Sequence, residues 1–93
     1  MTSHSPILLA EAQPLGLAAK GYRGRIQSIL AQDHSAQLPA AEIERRLIEL
    51  GFIEGAEVQI LHEGFFGRDP IAVRINGATV ALRRREAMAI LTA

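Results

Sequence analysis

The chain has 93 residues, 48 % of them hydrophobic, and its ten basic and ten acidic residues give a formal net charge of zero. This length suits one domain, and the hydrophobic fraction favours a packed core over a disordered chain. A neutral chain lacks the excess positive charge with which nucleic-acid-binding proteins neutralise phosphates, so we expect no nucleic-acid partner. The absence of cysteine excludes disulfides and thiolate metal sites.

The N-terminal segment is predicted to be a flexible arm over residues 1–14, followed by one folded domain over residues 15–93. No apolar run approaches the about 18–20 residues that span a bilayer, and no basic residue precedes the apolar stretch 7–10. We therefore expect a cytoplasmic protein without direct membrane insertion. Leu15 and Leu17 are predicted to begin the first strand.

The next strand is predicted over residues 25–30, because Ile26 and Ile29 lie between two turn-rich segments. The polar residues 32–37 then predict a loop. A helix follows over residues 40–50.

Two patterns support this helix. Ile43 and Leu47 begin an apolar stripe at i, i+4 and i+7, which is typical of a helix packed on one side. Glu42 and Arg46 are spaced to pair on the exposed side. Gly51, directly after the helix, suits the left-handed backbone of a C-cap.

The C-terminal half is predicted to be mainly β. Asn76–Gly77 is the strongest hairpin signal, and alternation places Val58, Ile60 and His62 on one face of an earlier strand. The predicted segments are strands over 57–62, 71–75, 78–82 and 89–92, a loop over 64–70, and a helical turn over 83–88. Together they predict a mainly β (α+β) fold. It is a small barrel of five to six strands with one inserted α-helix and a short C-terminal helical turn, and its closure hides the strand edges.

The residues that could bind a metal ion in this chain are its histidine and acidic residues. Zinc and iron sites need three or four convergent ligands. Neighbours on a strand point to opposite faces, so adjacent histidine and glutamate side chains do not converge. We therefore expect no cofactor, with a divalent transition metal left open. The candidate ligands are His62, Glu63 and Asp69, besides His4, Asp33 and His34.

Phe65 and Phe66 are the most informative candidates for partner binding, because aromatic residues are few and these two lie together between glycines. Two adjacent aromatics cannot easily both face a core, so we expect one ring buried and one exposed. The exposed ring would anchor a partner, as aromatics do at interface hot spots. Arg68 and Asp69 would extend this recognition surface at the loop tip.

The arginine run over residues 83–85 has two interpretations. It is either a solvated face or a contact surface in which Arg84 and Arg85 meet acidic protein or anionic lipid headgroups. Catalysis is not expected, because the chain has no Gly-rich phosphate loop and no paired-carboxylate pattern. The triad residue types in residues 33–35 are adjacent in sequence, which is the wrong geometry for a triad.

Three phrases of the sequence resemble the ferrous iron transport protein A family. Residues 46–55 are similar to that family's helix and glycine-punctuated turn, residues 67–71 to its G-x-D-P loop, and residues 81–90 to its A-L-R-x-x-E-A-x-x-I ending. All three occur in order and at the family's spacings.

This resemblance implies an SH3-like barrel and a function. It implies a small cytosolic regulatory protein that binds a membrane ferrous iron permease bearing a cytoplasmic GTP-binding domain. The family has no established catalytic residues. The alternative is a metal-responsive regulatory domain related to the C-terminal domain of iron-dependent repressors, binding a transition metal or a partner chain. The oligomeric state stays open.

Overall fold

One antiparallel sheet dominates the computed structural model, which describes residues 12–30 and 39–93. Its six strands in those residues follow the order β1-β6-β2-β3-β4-β5, so the last strand returns to lie between the first two. In chain order the elements are β1 (Gln13–Pro14), a 3-10 helix (Leu15–Leu17), β2 (Arg23–Ile29), α1 (Ala40–Glu49), β3 (Glu57–Phe66), β4 (Asp69–Ile75), β5 (Ala78–Leu82), α2 (Arg84–Ala87) and β6 (Ile90–Thr92).

The hydrophobic core is built from alternate residues of neighbouring strands together with one side of α1. Val73 of β4 lies opposite Ile60 of β3, and both are completely buried. Phe52, in the turn before β3, is also completely buried. From α1, Leu47 is buried and Ile43 packs against the core, as the apolar stripe predicts. The buried hydrophobic residues are Leu15, Ala18, Ile26, Leu47, Phe52, Val58, Ile60, Ile71, Val73, Ile75, Leu82, Ala87, Ala89 and Ile90.

Two predicted turns have the backbone that their residues favour. Gly51 ends α1 with a φ of 105°, the left-handed conformation that glycine adopts without steric cost. Asn76 and Gly77 connect β4 to β5 with φ values of 51° and 80°, the two positive values of a type I′ turn. Both predictions are confirmed, as are the helix of residues 40–50, the C-terminal helical turn and the last strand.

The start of the domain differs from the prediction. Leu15 and Leu17 belong to a 3-10 helix and not to a strand, and the Ala18 N–H donates to the carbonyl of Leu15 to close that turn. The strand lies just before them, where Gln13 pairs with Thr92 inside the segment predicted as an arm. Residues 1–11 of that arm and the predicted loop 32–37 lie outside the described residues.

The segment predicted as a loop over residues 64–70 is mostly hairpin. β3 continues to Phe66 and β4 begins at Asp69, so only Gly67 and Arg68 form the turn, with positive φ values of 66° and 59°. Gly64 permits this close pairing, because an added Cβ there would meet the Asp69 carbonyl oxygen. In the sequence Gly64 indicates the end of a strand, but in the structure it allows the backbones of two paired strands to approach closely.

Two side-chain predictions are also wrong. A β-bulge between Ile60 and His62 shifts the register, and His62 is exposed instead of sharing the buried face. On α1, Arg46 does not pair with Glu42. It reaches Glu86 of α2 at 2.6 Å.

Candidate functional site

The end of the β3–β4 hairpin, residues 64–68, is the most exposed apolar feature of the described chain, and we call it the hairpin tip. β2 pairs with β3 only as far as Gln59, and β5 pairs with β4 only from Ile71 onward. The tip is therefore a two-stranded ribbon with no third strand beside it in the described residues. An isolated ribbon has no packed layer on either face.

Both aromatic side chains of the hairpin tip lie in solvent. Phe65 is 100 % exposed and Phe66 is 90 % exposed. The expectation that one ring would be buried is wrong, because the ribbon extends beyond the layer that could cover it. Phe52, in the turn before β3, is fully buried in the core, and Tyr22 packs against the core while partly exposed.

The guanidinium of Arg84 holds the hairpin tip to the body of the domain. Its Nε donates to the carbonyl of Arg68 at 2.7 Å, and its Nη2 pairs with the Glu63 carboxylate at 3.2 Å. Its Nη1 donates to the carbonyls of Gly16 and Ala18 at 3.1 and 2.7 Å. One side chain thus connects β3, the hairpin turn and the segment around the 3-10 helix.

Asp69 completes this connection from the other strand. Its Oδ1 accepts the backbone N–H of Arg84 at 2.8 Å, which satisfies one of the unpaired donors at the start of α2. The side chains of Arg84 and Glu63 are only 18 % and 20 % exposed. Arg84 therefore lies beneath the surface and has a structural role, while its predicted contact with a partner stays a prediction.

The other arginines of residues 83–85 face outward. Arg85 is exposed, next to the anchored Arg84. The Arg83 N–H donates to Glu86 at 2.9 Å, and this carboxylate also binds Arg46, so Glu86 links α2 to α1. Within this run, Arg84 is thus largely covered and bound to other segments, whereas Arg83 and Arg85 are exposed.

The candidate metal ligands of the described residues do not converge on one point of the structure. His62 is exposed, Glu63 pairs with Arg84, and Asp69 accepts a backbone N–H. In residues 12–30 and 39–93 no three histidine or acidic side chains are grouped closely enough to hold a metal ion. His4, Asp33 and His34 lie outside the described residues. The expectation about metal binding stays a prediction.

A shallow pocket of about 320 Å³ lies on the outer face of the sheet. Arg23, Gln59 and Arg74 form one row across β2, β3 and β4 in it. The lining contains no serine or histidine and therefore offers no nucleophile with an imidazole base. The lining residues are Arg23, Glu57, Val58, Gln59, Arg74, Asn76 and Gly77. Where the chain is described, it also has no helix of the length and apolarity that would cross a bilayer.

Sequence reasoning missed the structural role of Arg84. Its partners Arg68, Glu63 and Gly16 are 16, 21 and 68 residues away along the chain. No local pattern reports such contacts.

Comparison of the chain with protein-family models and with solved structures identifies its family and its fold. The FeoA domain model matches residues 13–93. FeoA from Chlorobium tepidum is 30 % identical, with 86 % of this chain and 69 % of that chain covered and a TM-score of 0.67. FeoA from Stenotrophomonas maltophilia, solved with zinc and described as an SH3 domain protein, is 29 % identical over 85 % of this chain and 87 % of that chain, with a TM-score of 0.67.

A manganese-dependent transcriptional repressor also has this fold, with a TM-score of 0.70 and 24 % identity. The match covers 89 % of this chain and 41 % of the repressor, and at this identity the likeness extends to the fold alone. No curated protein matches the chain. The predicted fold class, a mainly β SH3-like domain with one inserted helix, is confirmed.

Proposed function

The chain belongs to the FeoA domain family, and on that premise we propose that it regulates ferrous iron uptake by binding the cytoplasmic domain of a membrane ferrous iron permease. Family membership makes it an accessory protein of ferrous iron transport and not an enzyme. The proposal adds a partner, the GTP-binding domain of the permease, and a cytoplasmic location.

The observation that carries the proposal is the exposure of Phe65 and Phe66 on the hairpin tip. Burying one such side chain contributes about 1.5–3 kcal/mol. Interfaces draw most of their affinity from a few residues of this kind. Folding alone does not account for two phenylalanines that lie in water, whereas partner binding does.

The remaining contact residues surround the hairpin tip. Arg68 lies in its turn, Asp69 begins the return strand, and Arg84 and Arg85 follow in α2. Since Arg84 is largely buried, we assign direct contact first to Phe65, Phe66 and Arg68. Arg84 supports the tip from beneath.

Regulation by such a module requires a difference in affinity. A bound protein shifts an equilibrium between two states of its partner only as far as it prefers one of them. A tenfold preference for one nucleotide state of the permease corresponds to about 1.4 kcal/mol. We propose that this preference is how the protein acts on transport.

A binding experiment tests the proposal. The permease from the same organism, or its cytoplasmic domain, is immobilised and titrated with the full chain in GDP, in a non-hydrolysable GTP analogue, and without nucleotide. We expect saturable binding with different affinities in the nucleotide states. Absence of binding in all three conditions would refute the proposed partner, and equal affinity in all three would refute the proposed mode of regulation.

A further inference from the structure

We infer that the partner receives the hairpin tip in a cleft that encloses it from both sides, with apolar walls and an acidic group facing Arg68. This inference rests on the proposed function and specifies the surface of the permease that the protein recognises. Its premise is the geometry of the two rings on the ribbon.

The two rings do not shield each other. A β-bulge interrupts the register between Glu63 and Phe66, so the alternation of faces along the strand does not by itself place them. The exposed fractions of the two side chains indicate where the rings lie. Neighbouring aromatic side chains on one face would cover part of each other, yet Phe65 is 100 % and Phe66 90 % exposed. The rings therefore point away from each other.

A flat partner surface would bury only one of two diverging rings. The other ring would stay in water and contribute nothing to affinity, because the hydrophobic contribution scales with the apolar area removed from water. A cleft that admits the end of the ribbon buries both. The two-residue turn of Gly67 and Arg68 keeps that end narrow.

The hairpin tip is also held in place before binding. Arg84 donates to the Arg68 carbonyl at 2.7 Å and pairs with Glu63 at the base of the ribbon. A loop that is already ordered loses less conformational entropy on binding. The ion pair of Glu63 with Arg84 marks the base of the ribbon, so the part of the hairpin tip that enters the cleft is residues 65–68.

Arg68 determines the polarity at the bottom of the cleft. Its carbonyl accepts from Arg84, whereas its guanidinium makes no hydrogen bond or ion pair with any described residue. Enclosing an unpaired guanidinium is unfavourable unless a carboxylate meets it. An aspartate or glutamate of the partner at this position satisfies that requirement.

Charge argues against two other occupants. Lipid recognition uses clusters of about 4–8 basic residues. The hairpin tip has one, Arg68, and the whole chain has no net charge. A second copy of this chain offers the pocket on the outer face of its sheet, which Arg23, Arg74 and one carboxylate, Glu57, line. Glu57 already pairs with Arg25, so the two arginines leave the pocket positive and unfavourable for Arg68.

The experiment measures the affinity of four variants for the permease in detergent. They are Phe65→Ala, Phe66→Ala, the double variant, and Ile53→Ala as the control. Ile53 is a half-exposed hydrophobic residue in the turn before β3, at the opposite end of the hairpin. We expect each phenylalanine variant to weaken binding by at least about tenfold, the double variant to weaken it further, and the control to bind as the wild type does.

Charge recognition is tested in the same assay. Arg68→Glu should weaken binding by at least about tenfold, because it places a negative charge against the acidic group of the cleft. Arg45→Glu on the exposed side of α1 is its matched control and should bind like the wild type. Unchanged melting temperatures establish that the variants are folded.

The outcomes separate this inference from the proposed function. If the wild type binds and only one phenylalanine matters, the surface is flat and the cleft is refuted. If neither matters, the hairpin tip is not the contact. If the wild type instead binds vesicles of phosphatidylglycerol and loses this with both variants, the occupant is a bilayer. If it dimerises through the tip, the occupant is a second copy. Absence of permease binding by the wild type refutes the proposed function and this inference with it.

Discussion

Replacing Arg84 with alanine removes the side chain that ties the hairpin tip to the domain. Four contacts are lost, and their energetic consequences differ. Gly16 and Ala18 are buried, so their carbonyls lose a partner that water cannot easily replace. Leaving each unsatisfied costs about 1–2 kcal/mol. Arg68 is exposed and the Glu63 side chain is 20 % exposed, so water compensates part of their loss.

The expected decrease in the free energy of unfolding is therefore about 2–4 kcal/mol. That is a substantial part of the about 5–15 kcal/mol by which domains are stable. For a domain of this size it lowers Tm by about 10–30 °C. Urea denaturation followed by circular dichroism measures the change directly.

Two further variants make this prediction specific. Arg45→Ala removes an exposed arginine whose pair with Glu42 is a surface ion pair, and the expected change is below about 0.5 kcal/mol. Arg84→Lys keeps the charge but loses the planar fork that reaches several carbonyls at once, so it should recover less than half of the loss. If Arg84→Ala unfolds at the same urea concentration as the wild type, the tie has no energetic role and our reasoning about it is wrong.

Three other outcomes are expected. Phe52→Ala, in the core, should lose about 3–5 kcal/mol of unfolding free energy, whereas Phe65→Ala should stay within about 0.5 kcal/mol of the wild type; equal losses would contradict the burial of the two rings. Gly64→Ala should lose at least about 1 kcal/mol, because the added methyl group meets a backbone carbonyl across the hairpin; unchanged amide shifts of the hairpin tip in NMR spectra would refute this. Equilibrium dialysis against ferrous iron and against zinc should give no tight stoichiometric binding, and one bound ion per chain would overturn the expectation.

Local signals account for the elements that were predicted correctly. The spacing of Ile43 and Leu47 predicted α1, because one side of a helix packs on the core whatever the rest of the chain does. Asn76–Gly77 predicted a hairpin, because both residues accept positive φ. The phrases over residues 46–55, 67–71 and 81–90 indicated the family, and with it the SH3-like fold.

Pairing across the sheet decided the rest. Glycine and proline near residues 64–70 indicated a loop, yet β4 supplies a partner strand, and Gly64 allows the two backbones to approach. The direction of His62 depends on a bulge, which inserts one residue and reverses the faces that follow. Alternation within one strand cannot report either effect.

Composition, turn residues and hydrophobic spacing by themselves determined a small, mainly β fold and its inserted helix, while the resemblance of three sequence phrases indicated the family. Only the tertiary structure decided that Phe65 and Phe66 are both exposed while the Arg84 side chain is only 18 % exposed. The physical reason is the distance along the chain over which each kind of interaction acts. Turn and helix preferences act within a few residues, whereas the exposure of the hairpin tip and the partners of Arg84 depend on segments up to 68 residues away.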